Sequence, residues 1–208
     1  MKKSDSALWE LTSAIAAGDV SGASQLLAAT PELAETSFQM GASRQEAKAY
    51  FLDRIQRYVY AGDTALHIAA AAYQVEITRK LIAAGANVRA KNRLGDEPLH
   101  TAAVGVPGSQ SWNPSAQAAT ILCLIEAGAD PSAVDKRDVT PLHRAVRTRC
   151  AAAVRTLLES GADAARRNKS GSTPMLLAKL NTGRGGTGSS EAKAQQQEIL
   201  QLLEKWIL

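Results

Sequence analysis

Apolar residues along this chain recur at helical spacing in short blocks, separated by glycine, proline and small polar residues. Leu8, Leu11, Ala14 and Ile15 fall on one stripe that Gly18-Asp19 interrupts, and Leu26, Leu27 and Leu33 follow around Pro31. These positions predict a helix pair over 7–34. Further on, Thr140-Pro141-Leu142-His143-Arg144-Ala145 reads as the start of a helix. Thr140 suits the N-cap, where a hydroxyl accepts one of the orphan N–H groups of the first turn. Pro141 suits the first helical position, where the missing N–H is one of those orphans anyway. Leu142 and Ala145, three apart, share a face and point to a core. His143 lies in the first turn, within reach of backbone and hydroxyl groups.

The block repeats. Thr64-Ala65-Leu66-His67-Ile68-Ala69, Glu97-Pro98-Leu99-His100-Thr101-Ala102 and Thr173-Pro174-Met175-Leu176-Leu177-Ala178 are variants of it. Their fourth positions, 67, 100, 143 and 176, are separated by steps of 33, 43 and 33 residues. A second motif keeps the same phase: Leu81-Ile82-Ala83-Ala84-Gly85-Ala86-Asn87, Leu124-Ile125-Glu126-Ala127-Gly128-Ala129-Asp130 and Leu157-Leu158-Glu159-Ser160-Gly161-Ala162-Asp163. Each reads as a helix closed by a glycine in the left-handed conformation.

A T-P-L-H-x-A hexapeptide at a spacing of about 33 residues resembles the ankyrin repeat. With the second motif in register over 62–208, the chain is identified as a member of that family, with insertions in two repeats. The resemblance implies an all-α solenoid of stacked helix-turn-helix units with short β-hairpin or turn connections. About four repeats and an N-terminal helical capping pair are expected, all within one domain spanning 1–208. The expected units are a cap over 7–34, an inserted helix and connection over 35–61, and repeats over 62–92, 93–135, 136–168 and 169–208. A solenoid needs such caps because its terminal units otherwise expose an apolar face.

Three stretches depart from the regular pattern. Within 35–61, Ser43-Arg44-Gln45-Glu46 is a capping-box sequence, which predicts a helix carrying Ala47, Phe51, Leu52 and Ile55 inward. Tyr50, Tyr58 and Tyr60 also lie here, either packing on the first full repeat or displaying a binding surface. The second repeat holds extra residues in a proline- and glycine-marked loop with Trp112, over 105–116. The fourth holds a Gly-rich insertion over 181–192, followed by a final helix with Ile199, Leu202 and Leu203 inward. Asp138 stands where the other hairpins have glycine, and Asp tolerates positive φ better than most residues. Trp206, Ile207 and Leu208 are expected to pack back on the last helix pair, self-association being the alternative.

Composition narrows the chemistry. The chain is 45% apolar and only 4% aromatic, so its core must be built from Ala, Leu, Ile and Val. No apolar run reaches the length needed to span a bilayer, and Asp5 and Glu10 interrupt any signal-peptide core. Cytoplasmic residence is the resulting expectation. Cys123 and Cys150 read as buried thiols inside helices, not as a disulfide framework. His67, His100 and His143 occur once per repeat. Equivalent positions of stacked helices lie roughly 8–10 Å apart, too far to share a zinc ion, so no metal is expected. Gly183-Arg184-Gly185-Gly186-Thr187-Gly188-Ser189-Ser190 outlines a phosphate loop but has Ser189 where the lysine belongs, and no strand precedes it. No cofactor and no catalytic residue are expected.

Charge placement points to a binding face. Residues 136–169 hold nine Lys and Arg against three Asp and Glu, so +6 of the chain's net +4 sits there and the rest sums to −2. In the family resembled, hairpin tips and the exposed side of each first helix form the concave binding surface. Carried over, Arg93, Leu94 and Asp96 fall at one tip, and Lys136, Arg137 and Val139 at the next. Arg144 and Arg147 fall on a first helix, and Arg166 and Lys169 near the following tip. A basic stripe of this kind favours an acidic protein segment. The expected function is a monomeric, non-catalytic scaffold binding another protein. Nucleic acid binding by the same patch is an alternative lacking interleaved aromatics for base stacking. A small ligand at the Tyr-rich 50–60 segment is another.

Overall fold

The computed structural model describes residues 3–109, 112–180 and 190–207. Its helices follow one another in pairs: α1 (Lys3–Ala17) with α2 (Val20–Ala29), α3 (Ala65–Ala71) with α4 (Val75–Ala83), and α5 (Pro98–Ala102) with α6 (Pro114–Glu126). Two more pairs complete the order, α7 (Pro141–Arg147) with α8 (Ala151–Glu159) and α9 (Pro174–Lys179) with α10 (Ser190–Ile207). First helices pack in sequence, α1 on α3, α3 on α5, α5 on α7 and α7 on α9. The second helices form a parallel layer, α2–α4–α6–α8–α10. The fold is the all-α stack that the resemblance implies.

The short first helices are too short to hold by themselves, because helix nucleation is unfavourable and isolated helices under about 12 residues are marginal. Their N-termini are fixed locally. Thr140 Oγ1 accepts from His143 N (3.3 Å) and Thr173 Oγ1 from Leu176 N (3.2 Å), with Pro141 and Pro174 at the first positions. The core then holds them. Leu66, Leu99 and Leu142 are fully buried, with Ala69, Ala102 and Ala145 three residues on at the same burial. Small side chains at these sites let adjacent pairs approach closely. In the outer layer Leu81, Leu124 and Leu157 are equally buried. At the N-terminal end, Leu8, Leu11 and Ile15 of α1 are fully buried, and Asp19 caps α2 by accepting from Gly22 N (2.8 Å).

The expected helix in 35–61 is not there, which corrects the reading of Ser43. Its Oγ does accept from Gln45 N (3.3 Å) and Glu46 N (3.2 Å), but the turn does not propagate. A 3₁₀ turn at Lys48–Tyr50 leads instead into a two-stranded antiparallel hairpin, β1 (Phe51–Leu52) against β2 (Arg57–Tyr58). The backbone finds partners elsewhere: Ala42 N donates to Val59 O (2.8 Å), Val59 N to Tyr50 O (2.8 Å) and Phe38 N to Asp63 O (2.9 Å). A single cap stabilises by about 1 kcal/mol, so even the good helix formers at 44–49 yield to these backbone bonds, and the β-favouring Tyr50 and Phe51 follow directly.

Two other expectations are settled by burial. Ile199, Leu202 and Leu203 of α10 point inward as expected. Trp206 and Ile207, however, remain 45% and 48% exposed and so do not pack back on the last pair. The Gly-rich segment from Asn181 to Ser189, with its phosphate-loop outline, lies outside the described residues, as does Leu208.

In the second repeat the extra residues are anchored by Trp112, whose Nε1 donates to Gln117 Oε1 (3.1 Å) while Gln117 Nε2 donates to Ala102 O (2.9 Å). Gly105 lets this happen. A Cβ there would lie 2.8 Å from Cys150 Sγ and 2.9 Å from the Trp112 ring. The insertion thus rests on the turn between α7 and α8.

Candidate binding face

From α3–α4 onward, each pair is joined to the next by a tight turn that one Asx side chain organises. Asn92 Oδ1 accepts from Leu94 N (2.9 Å) and Asp96 N (3.1 Å), Asp135 Oδ1 from Arg137 N (2.7 Å) and Val139 N (2.9 Å), and Asn168 Oδ1 from Ser170 N (2.9 Å) and Ser172 N (3.0 Å). This is the Asx-turn chemistry that favours Asn and Asp in such loops. These residues were not singled out by sequence, yet their steps of 43 and 33 residues match those of His100, His143 and Leu176, the fourth positions of the last three hexapeptides. Asp138 has a φ of 56°, the conformation its place in the turn predicts.

The turns are also stitched tip to tip. Arg93 N donates to Ala61 O (2.8 Å), Lys136 N to Leu94 O (3.1 Å) and Lys169 N to Arg137 O (3.0 Å). Gly95 permits the close approach, since a Cβ there would lie 2.8 Å from Lys136 N. Arg93, Lys136, Arg137 and Lys169 are thereby brought to one edge, all exposed. Arg93 lies over the Tyr60 ring at 4.9 Å, and Lys169 Nζ donates to Lys136 O (2.8 Å). Arg147 and Arg166 are exposed, while Leu94 and Val139 are partly buried.

Two candidates have another job. Arg144 Nη2 donates to Asp96 Oδ1 (2.6 Å) and Asp135 Oδ2 (3.0 Å), carboxylates that are both buried. Burial alone would push the Asp135 carboxyl up, yet the N–H groups of Val139 and Arg137 and the Arg144 guanidinium together hold it below its usual value. Arg144 and Asp96 are therefore a bridge between consecutive turns. That corrects their place in the row of displayed charges.

The histidines couple the same turns. His67 Nδ1 accepts from Thr64 N (3.1 Å), and its Nε2 reaches Asp96 O (3.0 Å). His100 accepts from Glu97 N (3.2 Å) and reaches Val139 O (3.0 Å), and His143 accepts from Thr140 N (3.3 Å) and reaches Ser172 O (3.1 Å). Because Nδ1 faces a backbone donor, the neutral imidazole carries its proton on Nε2 and donates to the following turn. Burial pushes all three below the ordinary histidine value, His100 to about 4. Among the described residues, no cluster of three or more His, Cys, Asp or Glu is placed to hold a metal ion.

The tyrosines divide. Tyr50 is buried edge-to-face on Trp9 (6.1 Å between centroids), whereas Tyr58 is exposed beside Phe51 (4.6 Å). Burial pushes the Cys123 and Cys150 thiols up, as suits inert core positions. Among the described residues, no helix is long and apolar enough to cross a membrane.

Comparison with known proteins agrees with this geometry. Residues 61–93 match the family described as Ankyrin repeat, and residues 124–178 match Ankyrin repeats (many copies). The chain contains ankyrin repeats. It is 36% identical over 112 residues to Ankyrin repeat and SOCS box protein 16 of Mus musculus, covering 54% of this chain and 24% of that protein. Over 86 residues it is 40% identical to Cyclin-dependent kinase 4 inhibitor B of Mus musculus and of Rattus norvegicus, covering 41% of this chain and 58% of each relative. This ankyrin-repeat chain thus spans about a quarter of one relative and somewhat over half of the others. Ankyrin repeats are general protein–protein interaction modules.

Proposed function

We propose that this chain is a non-catalytic scaffold that binds an acidic segment of another protein along the edge carrying Arg93, Lys136, Arg137, Arg147, Arg166 and Lys169. The observation that carries the reading is the backbone ladder between consecutive tips, which holds cations from three turns in one row. Packed helices fix those tips beforehand, so binding orders little of the scaffold. Opposite charge on the partner speeds encounter and fixes its register. The whole chain acts as one solenoid, with α1–α2 as its N-terminal cap and α9–α10 as its C-terminal unit. The name of one relative, an inhibitor of cyclin-dependent kinase 4, is compatible with a protein target, and this chain's own target is a separate matter.

A capture experiment from native extract tests the reading. Arg137→Glu combined with Arg166→Glu is expected to lose partners that the wild type retains, at an unchanged melting temperature. Retention of the same partners by the double variant would sink the proposal. A steep linear fall of log affinity with log salt would reassign the face to nucleic acid.

A further inference from the structure

The basic row is set on a fixed pitch. Each tip is a dipeptide whose first N–H donates to the tip before and whose second carbonyl accepts from the tip after, as with Lys136 N on Leu94 O and Lys169 N on Arg137 O. The tips therefore follow the spacing of the packed first helices α5, α7 and α9 behind them, roughly 8–10 Å. An exposed cation stands on each of three consecutive tips: Arg93, then Lys136 and Arg137, then Lys169. Of the carboxylates in these turns, Asp96 and Asp135 are buried against Arg144, and Asp138 is partly exposed beside Arg137. The tip amides are all engaged. The N–H groups of Arg93, Lys136 and Lys169 make the ladder, and those of Leu94, Arg137 and Ser170 donate to the Asx side chains.

We propose that the row binds an acidic protein segment in the polyproline II conformation, with Asp or Glu at every third residue. The proposal rests on the protein-binding reading above and gives its target a backbone shape and a sequence spacing. A polyproline II chain rises about 3.1 Å per residue with three residues per turn, so every third side chain returns to one edge after about 9.3 Å. That distance matches the pitch of the tips. A β-strand does not fit: its same-face residues recur about every 6.6 Å, and an added strand needs edge N–H groups that the tips have already engaged. An α-helix brings a side chain back to one face after seven residues, about 10.5 Å, beyond the pitch and with more than twice the chain per contact. The polyproline II backbone has no hydrogen bonds of its own and asks none of the tips. Lys169 Nζ, which rests on Lys136 O (2.8 Å), gains a stronger acceptor in a carboxylate.

The test is an amide-detected NMR titration of the full chain, at low salt, with a capped peptide of three Glu-Pro-Pro units, in which proline holds each glutamate extended. Saturable shifts are expected at Leu94, Arg137 and Lys169, with a Kd on the order of 1 mM. A capped peptide of the same composition, Glu-Pro-Glu-Pro-Glu-Pro-Pro-Pro-Pro, puts its carboxylates on different edges. It should bind about fivefold or more weakly, because single exposed ion pairs are weak and only several in register add up. Arg137→Gln and Lys169→Gln, both at exposed sites, should each shrink the advantage of the first peptide. Equal affinity of the two peptides, tighter binding of a helical peptide with glutamates seven apart, or no shift up to about 10 mM overturns the proposal. An oligothymidylate of equal charge binding more tightly than the Glu-Pro-Pro peptide also overturns it. Equal peptide affinities, with Arg137→Glu and Arg166→Glu together still losing the captured partner, would remove the spacing and leave the basic face standing. A clear preference for the first peptide, with partner capture unaffected by that double variant, would instead remove the capture reading.

Discussion

His100 and Glu97 are neighbours in one turn, and their protonation acts on stability in opposite directions. Each buried histidine has a folded-state pKa below its unfolded value of about 6.5, so the unfolded chain binds more protons as pH falls. Their contribution is complete above about pH 6.5 and is lost progressively toward the value of about 4 reached by His100. Glu97 stands where the three sister repeats have threonine, and burial pushes its carboxyl up. Its oxygens lie 3.7 Å from Lys91 Nζ and 3.9 Å from Arg89 Nε, too far for a normal hydrogen bond. Its folded state gains relative stability as the carboxyl protonates, which partly offsets the histidines. Thermal melts between pH 7 and 4 should therefore show falling stability in the wild type and a steeper fall in Glu97→Thr. That variant should also be about 1 kcal/mol more stable at pH 7, where a threonine cap replaces a buried charge. A flat profile would contradict the neutral histidine ladder. Arg144 makes a second prediction at this scale. Arg144→Glu places a third carboxylate against Asp96 and Asp135, and removing one partner of a buried pair typically costs about 3–5 kcal/mol. Denaturant unfolding should register that loss, whereas Arg137→Glu should be silent.

At the scale of elements, the short helices depend on caps and on the layers around them. Thr140→Ala should destabilise by about 1 kcal/mol through the lost cap, and Leu142→Ala by about 2–5 kcal/mol through the cavity left in the core. A silent Leu142→Ala would mean that the phase assigned to the repeats is wrong. Gly105→Ala should cost about 1–3 kcal/mol, because its new methyl meets Cys150 and Trp112. Much of this was legible in the sequence. Caps, core leucines and left-handed glycines are local signals, fixed by the residues next to them. The hairpin at 51–58 was not legible, because a real capping pattern at Ser43 was overridden by backbone bonds to distant residues. Arg144 was misjudged for the same reason: one of its partners lies 48 positions away in sequence. Asn92, Asp135 and Asn168 were within reach, since they share the spacing of the last three hexapeptides, but their signal is a single polar residue inside an otherwise variable turn.

For the whole molecule, the main contacts of each described helix pair are with its neighbours, so stability is close to a sum of unit terms and interface terms. A defect in the α7–α8 pair should therefore loosen α9–α10 more than α1–α2. Hydrogen exchange on Leu142→Ala should show protection lost first on the C-terminal side. The three imidazole bonds also share a direction. His67, His100 and His143 each donate to a carbonyl of the turn that follows in the chain. Loss of a preceding unit bares a turn carbonyl and loss of a following unit bares a ring N–H, and water satisfies either. The stack therefore has a grain: at these three junctions the amino-side unit supplies the donor and the carboxyl-side unit the acceptor.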